Sequence, residues 1–327
     1  MKSPADVELM AIGESMIVLV ADEGVPLEAA SRVSLHCAGA ESNVAYYLAQ
    51  LRHRVGWASR VGDDPFGRRL LREFTGVGID VSEVRVASGE RTGVYFKDAP
   101  SPGGVYYYRT ASAASAMSLD ELLPAVHSSP RLHVTGITAA LSASSATLLS
   151  DLMNAAAGSG VAVSFDVNYR PALWERSEAA PTLARLAKMA DTVFVGRDEA
   201  EGLWQKDTPD SIRAMLREVP TLIVKDGAVG ATAFELGVSS TFVPAPQVAV
   251  VEPVGAGDAF AAGYLSAEIR GLGMVERLRL GHLLAAQAIG GHADYAAVPP
   301  AHVLENQINL SGEQWQELAI GVADRVV

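Results

Sequence analysis

The stretch Val254-Gly255-Ala256-Gly257-Asp258-Ala259-Phe260-Ala261-Ala262-Gly263-Tyr264-Leu265 runs small residues straight into an apolar helix expected over 259–269. Side-chain-poor backbone at a helix N-terminus leaves several N–H groups unpaired and aimed at one point, where the helix dipole also favours negative charge. Asp258 falls in the first helical turn beside that anion site. An ordinary glycine turn with a first-turn acid has the same local pattern, so the rest of the chain decides. A second small-residue segment, Ala38-Gly39-Ala40-Glu41-Ser42-Asn43-Val44-Ala45, lies near the start. Gly39 and Ala40 permit close backbone approach, and the Asn43 amide can both donate to and accept from a polyol. Arg60-Val61-Gly62-Asp63-Asp64-Pro65-Phe66-Gly67 follows, a strand ending in a turn with acids at a helix start.

Outward from these segments, β-branched runs at 7–12, 55–61, 131–134, 161–166, 192–195 and 221–225 read as strands. Helical periodicity occupies 42–51, 64–75, 145–159, 178–190 and 210–218, with Ser42 as the expected N-cap of the first. Such β-α alternation implies right-handed crossovers and a mainly parallel sheet covered on both faces, an α/β sandwich. Two segments break the rhythm, 15–37 and 89–110. They contain Gly93-Val94-Tyr95-Phe96 and Gly104-Val105-Tyr106-Tyr107-Tyr108-Arg109, and read as short strands without a good helix. Pro100, Pro102, Gly103 and Gly104 would form a hairpin tip. The expectation is a small β-sheet lid inserted into one α/β unit spanning 1–327. The stretch from Ala301 is helix-like.

Hydrophobic residues make up 49% of the 327, enough for a substantial core. The 38 Asp+Glu against 26 Lys+Arg give a net charge of −12, which argues against nucleic-acid or anionic-membrane partners. The single cysteine, Cys37, excludes an internal disulfide and reads as a small buried hydrophobe from a reducing compartment. No apolar run reaches the ~18–20 residues of a membrane span. The polar opening has no signal-peptide core, so a cytoplasmic location is expected. There is no G-x-x-x-x-G-K-[ST], and Gly13-Glu14-Ser15 does not continue into G-x-G-x-x-G. The seven histidines lack zinc-ligand spacing, and no G-x-S-x-G elbow occurs.

Together, the segments 39–67 and 255–258 resemble the paired signatures of the ribokinase-like sugar kinases, the pfkB carbohydrate kinase family, and the resemblance extends over about 7–300. It implies a three-layer α/β core with a β lid, and transfer of phosphate from ATP, with Mg²⁺, to a sugar hydroxyl. On that reading Asp258 takes the hydroxyl proton, while the amides of Gly255, Ala256 and Gly257 stabilise the transferring phosphoryl group. Lys225-Asp226-Gly227-Ala228-Val229-Gly230 resembles the family's strand-turn beside the nucleotide. Lys225, Gly227 and Gly230 therefore join Gly255 and Gly257 as candidate ATP ligands, although Lys225 also reads as a solvated strand-end lysine. Glu199 is the candidate for organising water around Mg²⁺, with Gly196 standing where the family has Asn. Glu252-Pro253 replaces the family's Asp-Thr, which leaves a monovalent-cation site in that loop open.

Tyr106–Ser115 and Asp166–Trp174 are similar to the corresponding segments of the family's 2-keto-3-deoxygluconate kinases. That likeness places Gly39, Tyr95, Tyr107, Arg109, Arg170 and Asp294 around a sugar acid, and Asn43 joins them as a candidate ligand of its hydroxyls. Two convergent guanidinium groups suit a carboxylate, because arginine pairs with it bidentately. The expected activity is phosphorylation of the terminal hydroxyl of 2-keto-3-deoxygluconate. A fructokinase or ribokinase is the alternative, and a non-catalytic sugar- or nucleotide-binding regulator ranks below both. The aromatic lid strand, otherwise an open sheet edge, predicts a homodimer formed through the lid.

Overall fold

The computed structural model describes residues 7–21, 25–98, 104–249, 254–290 and 296–321. In chain order the strands of its two larger sheets are β1 (Leu9–Ile12), β2 (Met16–Ala21), β3 (Val33–Ala38), β4 (Val55–Gly62), β5 (Val84–Ala87), β6 (Val94–Lys97) and β7 (Val105–Tyr108). They continue with β8 (Arg131–Thr135), β9 (Ala162–Asp166), β10 (Thr192–Gly196), β11 (Thr221–Asp226), β12 (Gly230–Glu235) and β13 (Thr241–Pro244). Nine form one sheet in the order β13-β12-β11-β10-β9-β8-β1-β4-β5, parallel except at the β11–β12–β13 edge. All six strands expected from the sequence are present, each within two residues of its expected start.

Period-two alternation makes this a three-layer structure. Leu9, Ala11, Phe194 and Ile223 face one core, shared with helices Ala40–Gln50, Ala256–Ile269 and Met274–Ile289. Met10, Ile12, Val193, Val195, Leu222 and Val224 face the other, shared with helices Leu119–His127, Ala143–Gly158 and Arg176–Ala187. Strand order reverses beside β1, whose neighbours are β4 and β8. In parallel α/β sheets, ligands bind outside the carboxyl ends of the strands at such a point.

The lid is a separate sheet in the order β3-β2-β6-β7, built from both expected inserts. Its tip residues Pro100, Pro102 and Gly103 lie outside the described residues, whereas the Gly104 carbonyl accepts from Asp98 N at 2.7 Å. Asp64 caps helix Pro65–Gly76 by accepting from Phe66 N and Gly67 N, and its second oxygen accepts from Thr92 N at 2.8 Å. That acid thereby ties the core to the base of β6. Cys37 is buried, and burial, reinforced by its bond to Glu73, pushes its thiol pKa upward. Among the described residues, no helix is long and apolar enough to cross a membrane.

The expected helices are present with starts shifted by one or two residues, and one expected cap is not found. Ser42 is not an N-cap: the helix begins at Ala40 with Gly39 as its cap, and Ser42 Oγ accepts from Ser15 Oγ at 2.7 Å. Close packing explains the shift, because a Cβ on Gly39 would sit 2.5 Å from the Glu14 carbonyl oxygen. Only glycine lets the chain turn into the helix there.

Candidate active site

The carboxyl ends of the parallel strands supply one after another the groups of a single cleft. Asp166 closes β9, Asn168 follows it, Gly196 and Glu199 lie at and just after the end of β10, and Lys225 lies near the end of β11. Helix Ala256–Ile269 points its N-terminus at the same place. Its cap, Gly255, has φ of 82°, a left-handed conformation that side chains strain, which accounts for glycine at this position. The N–H groups of Ala256, Gly257 and Asp258 come too early in the helix to find partners within it. Lys225 Nζ lies 3.5 Å from where a Gly257 Cβ would be, so an ammonium group joins the amides.

Asp258 is 9% exposed and is held by two amides. Asn43 Nδ2 donates to Oδ2 at 2.8 Å, and Asn168 Nδ2 approaches Oδ1 at 3.5 Å. Burial is the main reason its pKa is pushed up to about 7; the Asn43 bond opposes that and the Asp166 charge adds to it. A carboxylate tuned near neutrality beside unpaired amides is equipped to accept a proton.

Lys225 donates to Asp166 Oδ2 at 2.8 Å. Burial opposes its charge, but Asp166, Glu199 and Asp258 more than offset that and hold its pKa above the usual lysine value. It is therefore a partly buried, ion-paired cation in the cleft wall, not a solvated strand-end residue. Glu199 accepts from Gly196 N at 2.7 Å and from Tyr169 N at 3.1 Å, and desolvation raises its pKa. A Cβ at Gly196 would fall 2.6 Å from Oδ1 of the exposed Asp198 and 3.1 Å from Glu199 Oε2, so a larger residue there requires those side chains to move.

These groups open into a cavity of about 1020 Å³. Its walls include Tyr95, Tyr107, Arg170, Glu199, Lys225, Gly227, Gly230 and the 255–258 turn. Asn43 joins the site through Asp258. Gly39 lies behind, at the helix start. Arg109 is not among the residues that line the cavity: it sits just past the end of β7, ion-pairs with Glu14 and lies beside the lining residue Tyr107, its Cζ 5.7 Å from that ring's centroid. Asp294, and Glu252-Pro253 with the cation question they raise, lie outside the described residues.

Sequence reading missed Asp166 and Asn168 as site groups. A strand-terminal Asp followed by an Asn, a residue tolerant of the φ of 41° found here, was the available signal. It also missed the apolar residues of the cavity wall, Val248, Phe260, Ala285, Ala286 and Ile289. Nothing in their local pattern separates them from core.

Known proteins resemble this chain in sequence and in fold. The model of the pfkB family carbohydrate kinase matches residues 7–301. The 2-dehydro-3-deoxygluconokinase of Bacillus subtilis is 36% identical, covering 89% of this chain and 92% of its own. The enzyme of that name from Thermoproteus tenax is 35% identical, covering 91% and 94%. In fold, the chain is similar to a putative ribokinase II from E. coli in complex with ATP and Mg²⁺. That structure has a TM-score of 0.83 and 21% identity, with 92% of this chain and 98% of that one covered. The protein, with its paired glycine signatures, its lid and its buried Asp258 at one cleft, belongs to the pfkB family of carbohydrate kinases.

Proposed function

We propose that this kinase transfers the γ-phosphate of ATP to the terminal hydroxyl of 2-keto-3-deoxygluconate. The observation that carries the reading is Arg170 in the wall of the same cavity as Asp258, where its charge also acts on that carboxyl. An acid sugar offers the guanidinium a carboxylate; a neutral hexose does not. The two curated relatives of that activity support the choice.

The cavity suits ATP along its length. The apolar wall residues Phe260, Ala285 and Ile289 would take the adenine. Lys225 and the amides of Ala256 and Gly257 would hold the phosphates, and the neighbour of like fold carries ATP and Mg²⁺. Asp166 and Glu199 are the carboxylates that would face Mg²⁺. Among the described residues no cluster of three or more metal-ligating side chains occurs, which suits an ion held chiefly by phosphate and water. When bound, Mg²⁺ neutralises charge on the phosphates.

The chain's own residues perform the rest. Asn43 and Asn168 fix the Asp258 carboxylate, which takes the proton of the sugar hydroxyl as it attacks. The helix amides and Lys225 stabilise negative charge on the group in flight, with no reorganisation needed at that moment. Tyr95 and Tyr107 on the lid cover the sugar side and limit water.

The test is kcat/KM measured with 2-keto-3-deoxygluconate, its galacto epimer, fructose and ribose. Preference for either acid sugar over both neutral ones upholds the carboxylate argument, and the ratio between the epimers settles the sugar. Preference for fructose or ribose overturns it.

A further inference from the structure

We infer that Glu14 is a positioning residue for the sugar subsite: it fixes the lid's Arg109 at the edge of the cavity and thereby sets the affinity for the sugar acid. The inference rests on the substrate reading above. Glu14 closely follows the core strand β1, and Arg109 directly follows the lid strand β7. The two form an ion pair with side chains only 1% and 10% exposed. Ser112 Oγ donates to the Glu14 Oε1 atom, so the carboxylate is anchored from a second side. Room for it depends on Gly93, where a Cβ would come within 2.9 Å of that oxygen.

The guanidinium is not used up by this pairing. Its Cζ lies 5.7 Å from the centroid of the Tyr107 ring, and Tyr107 is a wall of the cavity. The buried Arg109 Nε has no hydrogen-bond partner. A buried donor without an acceptor is costly, and a ligand oxygen would relieve it. An arginine on a free lid strand would lose its rotamer freedom on meeting the sugar; Glu14 and Tyr107 restrict it beforehand. Removing Glu14 leaves the guanidinium buried and uncompensated, which drives it out toward water.

The test is a double-mutant cycle with Glu14→Gln, Arg109→Ala and the pair, assayed on whichever sugar the wild type phosphorylates best. Glu14→Gln is expected to raise the sugar KM by about tenfold, more than it changes kcat or the KM for ATP. In the Arg109→Ala background the same substitution should add less than about twofold. An equal rise in both backgrounds, a parallel rise in the KM for ATP, or a sugar KM unchanged by either single substitution overturns the inference. Should Glu14→Gln not fold, Glu14→Asp, which keeps the charge on a shorter arm, is put through the same cycle against the same criteria. A wild type that prefers a neutral sugar refutes the acid substrate, while the coupling still decides the role of Glu14.

Discussion

Replacing Asp258 by asparagine separates what its burial does for catalysis from what it costs the fold. Burial, only partly opposed by the Asn43 bond, pushes the carboxyl from its ordinary 3.8 up to about 7. A tenfold change in an acid's ionisation equilibrium corresponds to about 1.4 kcal/mol, so keeping this one ionised costs on the order of 4 kcal/mol. The folded state keeps a proton that the unfolded chain releases above roughly pH 4, so the folded state binds more protons through this window. Stability therefore falls as pH rises from about 4 to about 7, and the full cost applies above that. The amide is uncharged, has nearly the same shape and still offers Asn43 an acceptor. Asp258→Asn should consequently melt several degrees above wild type at about pH 8, by calorimetry, with the gap closing toward about pH 5. The same substitution removes the proton acceptor, and turnover should fall by about 10²–10⁴-fold. In the wild type, only about a tenth of a group with this pKa is ionised at about pH 6 and about nine tenths at about pH 8. kcat/KM should then rise about tenfold across that interval. Turnover of Asp258→Asn within about threefold of wild type at about pH 8, or a melting difference independent of pH, would refute the reasoning.

The other expectations bear on the sugar, the lid and the core. Arg170→Ala should raise the KM for the sugar acid by about tenfold, the lower end for a charge-assisted pair, because its side chain is 48% exposed; an unchanged KM removes it from the subsite. The lid leaves Tyr106 51% and Tyr108 66% exposed, and we expect it to join two copies of the chain. Light scattering at micromolar concentration checks this, and a monomer counts against it. Gly263→Ala places a Cβ 2.4 Å from the Leu280 carbonyl oxygen, between helices Ala256–Ile269 and Met274–Ile289. Helix propensity favours alanine, but the clash should win, costing about 1–3 kcal/mol; an undiminished melting temperature would contradict it.

What was legible in the sequence is what local pattern encodes. Strands β1, β4 and β8 to β11 announce themselves because strands buried on both faces are continuous apolar runs. Asp258 and its glycines announce themselves because a helix N-terminus that binds an anion needs small residues at fixed spacing. The Gly230–Glu235 and Thr241–Pro244 hairpin at the sheet edge carries a weaker, less continuously buried pattern, and was not expected. Pairings across the chain left no local trace. Lys225 looks like any strand-end lysine until Asp166, two strands away in the sheet, is seen 2.8 Å from it. Arg109 looks like a free lid arginine until Glu14 is seen to hold it in place. Both are consequences of sheet order, which residue spacing does not state.

That same order governs how the lid comes into being. Its two hairpins are far apart in the chain, and Ile17 of β2 pairs in parallel with Val94 of β6. Between them the chain first passes through helix Ala40–Gln50, β4, helix Pro65–Gly76 and β5. A contact of such long range carries a loop-closure entropy that a folded intervening segment lowers by holding the two ends near each other. The β2–β6 pairing that joins the two hairpins into one lid therefore depends on the core segment between them. A damaged β4 or helix Pro65–Gly76, remote from the sugar, would reach the enzyme first as a failure to close over it.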